Sequence, residues 1–441
     1  MSTESQKLAA FTARASYDDL SELARAQLKI RVLDALGCAL GATGGMPVRA
    51  IRDQIGEFDG RASCSLVGGG CAGPDRAAFY NGALVRYLDF NDSYLAKGET
   101  CHPSDNLGAV LAASEYADRS GRDLMTALAV AYQVQCRLSD EAPVRAKGFD
   151  HTTQGAYAVA AGVAKALGLD AAQTANAIGM CGSAFNALRV TRTGALSHWK
   201  GLAYPNMAAC CTFAVFLARR GITGPAEVFE GNKGFKEAIA GDFEIDWQRE
   251  NLERVTRTIL KKYNAEIHAQ SAIDAVLALH VHADEVEHVD LEIFDVAYHI
   301  IGGGEEGDKT GVHTKEEADH SLPYMLAAAI IDGQLMPAQY VPERIVRDDV
   351  QVMLRKVAVR PNARYSARFP DEQACKVTVT LKSGRTLETE PHDYEGFHTR
   401  PMPWDAAVRK FTALAGERPQ IADAVANLEH MRVRELTRLL T

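Results

Sequence analysis

LDALGCALGATGG, Leu33 to Gly45, follows an apolar run at helical spacing (Leu20, Leu23, Leu28, Ile30, Val32, Leu33) and replaces large side chains by Gly and Ala. Small residues let helix axes approach closely, so the stretch reads as a helix that broadens into a buried one. The same texture recurs outward at Ala77–Asp89, Asn106–Asp118, Asp123–Leu138, Gly155–Leu167, Ala171–Cys181 and Met207–Arg219. Asp170 ahead of AAQTANAIG and Ser120-Gly121 ahead of RDLMTAL carry the chemistry of helix starts. From about Ser16 to about Lys236 the spacing therefore predicts a compact helical bundle.

After about Tyr263 the texture changes. VDLEIFDVAYHI, QVMLRKVAVRP and ACKVTVTL-KSG-RTLETE carry β-branched residues in near alternation, with Ser383-Gly384 as a hairpin turn signal. The apolar helical segment SLPYMLAAAIIDGQ lies between the first two, giving the order strand, helix, strand pair. Pro401 to Thr441 returns to amphipathic helix and is expected to pack back on the bundle. The fold class read from this pattern is mainly α with an inserted α+β domain: a helical domain over 1–263, an α+β lid domain over 264–395, and helices over 396–441 that rejoin the first.

Composition limits the function classes. The chain has 441 residues, enough for two or three domains at roughly 150 residues each. Lys plus Arg number 48 against 57 Asp plus Glu, a net charge of −9, which is unfavourable for nucleic acid. An anionic ligand must then be held by a local cluster of Lys, Arg and His. The 9 Cys are scattered without C-x-x-C spacing, which speaks against a disulfide framework or a cysteine metal cluster. The polar start MSTESQKLAAFTARASYDDL lacks a signal-peptide core and no stretch reads as a membrane span, so a cytoplasmic protein without a membrane partner is expected.

Four stretches could carry chemistry. RYLDFNDSYLAKGETCHPSDN, Arg86 to Asn106, places Asp89 and Asp92 at the end of an apolar helix, on one face, and then presents Lys97, Glu99, Cys101 and His102 on a loop. The plainer alternative is a capping Asp and a satisfied, half-buried His. KGFDHTTQGAYAVAAG, Lys147 to Gly162, sets His151, Thr152 and Thr153 before a small-residue helix whose N-terminus could receive a carboxylate; a bare Thr or Asp cap is the alternative. NALRVTRTGALSHWKGLAYPN, Asn186 to Asn206, places Arg189, Arg192, His198 and Lys200 among apolar helices, where charges are costly unless paired or used. TILKKYNAEIHAQSAIDA, Thr258 to Ala275, gathers Lys261, Lys262, Tyr263, Glu266, His268 and Gln270 at the domain junction, a favoured place for ligands, although a solvated hinge would look the same. Gly68-Gly69-Gly70 and Gly302-Gly303-Gly304 fit neither nucleotide-binding pattern and read as turns. No spacing argues for a metal, and no cofactor is expected.

The inventory is His, Lys, Arg and Asp, without an evident nucleophile or nucleotide cradle. It suits proton transfer on a small polycarboxylate: a proton beside a carboxylate is weakly acidic, so its removal needs cations for the developing charge, a base poised near neutrality, and an acid for any leaving hydroxyl.

The segments LDFNDS, CHPSDN, KGFDHTTQGAY, NALRVTRTGALSHWKGLAYPN, GPAEVFEGNKGF, LKKYNAEIHAQSAID and EADHSLPYM, in order between Ala83 and Tyr324, resemble the MmgE/PrpD family. WKGLAYPN with KKYNAEIHAQS is similar to its 2-methylcitrate dehydratase branch. The resemblance implies a helical domain with an α+β lid, a homodimer, and a metal-free active site between the domains. Carried over by motif, Asp89 and His102 match an Asp and an H-P-S His of the family, Ser93 stands where a relative has Thr, and Lys261 matches a lysine before the junction. The family usually reads F-H-P-T where this chain has Phe149-Asp150-His151-Thr152, and K-x-L-H-x-G where Lys200 here directly precedes Gly201. A histidine of the decarboxylase relatives falls at Glu266, which points away from simple decarboxylation.

The resemblance implies a hydro-lyase that dehydrates 2-methylcitrate or a related tri- or dicarboxylate. Its expected catalytic residues are Asp89, His102, His151, Lys200 and Lys261. His102 would exchange the α-carbon proton, His151 or Lys200 would protonate the leaving hydroxyl, and Asp89 would orient a histidine. Ser93, Arg192, Tyr263, His268 and Gln270 are expected to bind substrate. The alternatives are cis-aconitate decarboxylation, epimerisation of a substituted succinate, or a silent polycarboxylate-binding protein on the same scaffold.

Overall fold

The computed structural model describes residues 2–58, 60–194 and 196–441. The chain forms two compact units, one of Met1–Arg192, Trp199–Thr258 and Pro403–Thr441, the other of Thr193–His198 and Ile259–Met402.

The first unit is helical. Its interior helices are Glu22–Gly41, Pro74–Tyr87, Leu107–Tyr116, Gly121–Glu141, Thr152–Leu167, Ala171–Ala184 and Trp199–Arg219. Pro74–Tyr87 packs on both Leu107–Tyr116 and Trp199–Arg219, and Gly121–Glu141 packs on Thr152–Leu167. The small residues are required: a Cβ at Gly108 would lie 2.5 Å from the Gly82 backbone nitrogen, so these two helices cross at a separation that Ala would not permit. The expected caps form, Asp170 accepting from the Gln173 N–H and Ser120 from the Asp123 N–H. Trp404–Ala415, from the C-terminal stretch, packs on Glu22–Gly41.

Two expectations are corrected here. The helix read as starting at Met207 begins at Trp199 and runs through Pro205, because burial of Lys200, Ala203 and Tyr204 overrides the local cost of proline. Contrary to the absence of any span-like stretch expected from the sequence, that helix is long and apolar enough to cross a membrane; 56% of its apolar window is buried inside the protein.

The second unit is α+β. Its four-stranded sheet has the spatial order Val357–Pro361, Val286–Ile293, Cys375–Leu381, Thr386–Thr389. The first pair is parallel, with Val289 opposite Val357; the other two are antiparallel, with Leu291 opposite Val377 and Val377 opposite Thr389. Val289, Leu291, Ile293, Val377 and Val379 alternate inward onto the buried helix Leu322–Asp332 and the helix Gln270–Ala278. VDLEIFDVAYHI is a strand only to Ile293 and becomes the helix Asp295–Ile301, and QVML belongs to the helix Asp348–Leu354 before the strand opens at Val357. Short apolar runs fit either period, and the parallel pairing decides between them.

Candidate functional site

The helix Pro74–Tyr87 stops because Asp89 takes φ 52°, a left-handed conformation that Asp tolerates better than most residues. Asp89 and Asp92 therefore do not share a helix face, as their spacing had suggested; both belong to the loop beyond it. Asp89 is buried and holds two cations: its Oδ1 accepts from Arg86 Nη1 at 2.5 Å, and its Oδ2 lies 3.2 Å from Lys200 Nζ.

The loop then enters the hairpin Tyr94–Ala96/Glu99–Cys101, which delivers His102. Lys97 is exposed at the hairpin turn, whereas buried Glu99 accepts from the Val144 and Arg145 N–H groups, a structural task. His102 Nδ1 donates to the Asp92 backbone carbonyl at 2.8 Å and lies 3.0 Å from Ser93 Oγ. A carbonyl can only accept, so Nδ1 carries the proton and the neutral ring has its lone pair on Nε2. The orienting partner at Nδ1 is thus a backbone carbonyl, not the Asp89 carboxylate expected from the sequence, and Ser93 turns its hydroxyl to the same nitrogen. Asp92 is itself fixed: Tyr132 donates to Oδ2 at 2.7 Å and the Ser104 N–H to Oδ1 at 2.9 Å. Asn91 donates to Ser104 Oγ and Asp105 Oδ1, both at 2.9 Å. Complete burial raises the Asp105 carboxyl to about 7, against the opposing charge of Arg86, whose Nε lies 3.7 Å away.

His151 faces His102 edge to face at 5.4 Å between centroids and stacks on Tyr204 at 5.7 Å. It opens the helix Thr152–Leu167, for whose N-terminus the sequence left two readings, a ligand carboxylate or a bare Thr or Asp cap. That place is filled from within. Asp150 accepts from the Thr152 N–H and hydroxyl, from Arg192 Nε at 2.9 Å, and lies 3.8 Å from Arg189 Nη1. Burial alone would raise Asp150, but Arg192 and its other partners hold it well below the usual carboxylate range. The pairing of Phe149 with Leu188 brings the two arginines there. Arg192 Nη2 also donates to His151 Nε2 at 3.1 Å, so the His151 proton sits on Nδ1, a buried atom with no hydrogen-bond partner among the described residues. Burial first, then nearby arginines, lowers His151 to about 3. His151 is a neutral hydrogen-bond donor, and Arg192 is a support for it, not a freely turned carboxylate clamp.

Sequence reasoning missed Arg86, Asn91, Tyr132, Asp105 and Tyr204. Tyr204 donates to Asn106 Oδ1 at 3.0 Å and to Gln135 Oε1 at 3.2 Å while supporting the His151 ring. Arg86 and Asp105 lay among the candidate stretches, and their charge within an apolar pattern was the available signal; Tyr204 lay in WKGLAYPN, whose family likeness was its signal, while Tyr132 sits in ordinary helical texture and gave none.

In the second unit Lys261 and His268 are buried. His268 Nδ1 pairs with Glu266 at 2.8 Å, its ring lies edge-on to Phe294 at 5.7 Å, and Nε2 is a buried atom with no hydrogen-bond partner among the described residues. Burial would raise Glu266, but His268 and more distant cations bring it to about 2. Gln270 accepts from the Lys262 and Tyr263 N–H groups and donates to the Tyr263 and Ala265 carbonyls, and Tyr263 donates to Asp274 at 2.5 Å. These two proposed substrate binders hold their own loop. His198 is exposed.

The MmgE/PrpD N-terminal domain profile matches residues 6–248 and the C-terminal domain profile residues 263–435. The chain belongs to the MmgE/PrpD family. Among its relatives are the mitochondrial 2-methylcitrate dehydratase of Yarrowia lipolytica (29% identical over 71% of this chain and 64% of that enzyme) and the 2-methylcitrate dehydratase of Escherichia coli (26% over 87% and 84%). The cis-aconitate decarboxylase of Mus musculus is 26% identical over 93% of this chain and 88% of that enzyme.

Proposed function

We propose that this MmgE/PrpD protein is a hydro-lyase that dehydrates 2-methylcitrate, or a related tri- or dicarboxylate, by acid–base chemistry of its own side chains. The observation that carries the proposal is the pair of histidines 5.4 Å apart, each with its proton on Nδ1, beside the Lys200–Asp89–Arg86 cluster. His102, protonated at Nδ1, takes the proton from the carbon next to a carboxylate through Nε2. The electron pair of that C–H bond forms the C=C bond, and the β-hydroxyl leaves as water with a proton from Lys200. His151, neutral at working pH, donates Nδ1–H to the charge that develops on the carboxylate, a role that needs no imidazolium. Lys200 is therefore the acid of the two candidates. For Lys261, a role in holding a carboxylate rests on the family likeness alone.

Chelator-treated protein mixed separately with 2-methylcitrate, citrate and cis-aconitate, followed by ultraviolet absorbance and product mass, tests the proposal. Loss of water from 2-methylcitrate supports it. Release of carbon dioxide from cis-aconitate, or no change with any of the three, overturns it.

The chain is also proposed to form a homodimer through the first unit. On the helix Trp199–Arg219, Trp199 and Phe213 are 46% and 58% exposed and about four turns apart on one face; Leu188 and Val190 nearby in sequence are 60% and 70% exposed. A monomer mass by light scattering refutes this part.

A further inference from the structure

The helix Trp404–Ala415 brings a buried cation to the loop that carries Asp89 and Asp92. Lys410 is 8% exposed. Its ammonium lies 2.6 Å from Asp34 Oδ1 on the helix Glu22–Gly41, donates to the Phe90 backbone carbonyl at 2.8 Å, and sits 3.8 Å from the centroid of the Phe90 ring. Phe90 directly follows Asp89 and its left-handed φ of 52°. A non-glycine residue holds such a conformation only when its surroundings over-determine it. The rest of the loop is anchored in turn: Asn91 on Ser104 and Asp105, Asp92 on Tyr132 and the Ser104 N–H, Ser93 on His102. Lys410 supplies the anchor at Phe90, from the far end of the chain.

We infer that Lys410 is a positioning residue: by holding the Phe90 carbonyl it fixes the Asp89–Asp92 backbone, whose Asp92 carbonyl selects the tautomer of His102. Asp34 keeps the ammonium in place; burial raises its carboxyl and Lys410 opposes that rise. A purely structural ion pair would be replaceable by an apolar pair of similar volume without functional loss, because burying two charges is itself costly. A carbonyl anchor is not replaceable in that way, since it needs a donor at position 410.

Two double variants separate these cases. Lys410→Gln with Asp34→Asn keeps a neutral donor; Lys410→Met with Asp34→Leu keeps only volume. Ring-nitrogen NMR of the full chain, with His102 assigned by its absence in His102→Gln, reads the tautomer without any substrate. Turnover on the substrate proposed above gives a second readout, which rests on that proposal; its failure leaves the NMR readout intact. The Gln/Asn pair is expected to keep the Nδ1–H tautomer and turn over within about threefold of wild type. The Met/Leu pair should populate the Nε2–H tautomer and lose about tenfold or more in kcat at nearly unchanged KM, as small misplacements of catalytic groups do. Equal behaviour of the two pairs, or a wild-type His102 spectrum in the Met/Leu pair, overturns the inference. If the Met/Leu pair does not fold, the Gln/Asn pair decides alone: a wild-type His102 spectrum is the expected result, and loss of the Nδ1–H tautomer overturns it.

Discussion

His102 in the helical unit and His268 in the α+β unit are both buried and both held through Nδ1, yet by opposite means. His102 rests on two neutral oxygens, the Asp92 carbonyl and the Ser93 hydroxyl; His268 rests on the Glu266 carboxylate, with the shorter contact at 2.8 Å. A carbonyl fixes the tautomer and adds no charge, so the ring keeps a lone pair able to take up and return a proton. A carboxylate fixes the ring by placing a full negative charge against Nδ1. The difference separates a ring arranged to cycle from a ring arranged to stay. The largest test of it is on stability. Asp150→Asn leaves buried Arg192 facing a neutral group, and since an arginine cannot shed its charge the loss should be about 3–5 kcal/mol by urea unfolding. Glu266→Gln should cost less, about 1–3 kcal/mol, because the amide oxygen of Gln can still accept a hydrogen bond from the imidazole. An equal or larger cost for Glu266→Gln would break the comparison.

On turnover the order reverses. His102→Gln should lower kcat by about a hundredfold or more if His102 is the base, and His268→Gln by less than about tenfold. Circular dichroism confirms that both variants fold. Near-normal turnover in His102→Gln, or a larger loss in His268→Gln, would move the base to the other unit.

Much of the helical unit was legible because Ala and Gly at helical spacing leave few other ways to bury so much chain, and because Asp170 and Ser120 announce their helices. Strand ends were less legible: Asp295–Ile301 and Asp348–Leu354 are helices whose few apolar residues also fit a strand, and the pairing of Val289 with Val357 is a contact between distant segments. The same limit applies to the site. His102 and His151 stood out locally. What holds them, namely Tyr132 on Asp92, Arg192 on His151 and Tyr204 beneath it, arrives from helices far away in sequence. The helix start before Thr152 left two readings, a ligand carboxylate or a bare Thr or Asp cap, and the structure shows the second: the anion there is the chain's own Asp150.

Within the helical unit the two perturbed groups flanking this arrangement give opposite pH slopes, and these are the smallest effects. His151 titrates at about 3 when folded against 6.5 as a free side chain. Between those values the unfolded chain binds more protons, so its contribution is present above 6.5 and is lost as pH falls toward 3. Asp105 titrates at about 7 against 3.8. Here the folded chain binds more protons between the two values, so this carboxyl favours folding below 3.8 and progressively opposes it as pH rises to 7. Asp105→Asn should therefore leave stability at pH 4 nearly unchanged and raise it at pH 8 by on the order of 1–3 kcal/mol, while His151→Gln should flatten the fall between pH 6.5 and 4. Urea midpoints taken at both ends of the range check the signs. A nearly equal effect of Asp105→Asn at pH 4 and pH 8 would mean that Arg86 holds Asp105 ionised throughout, and that the Arg86 charge is then divided between Asp105 and Asp89 instead of being centred on Asp89.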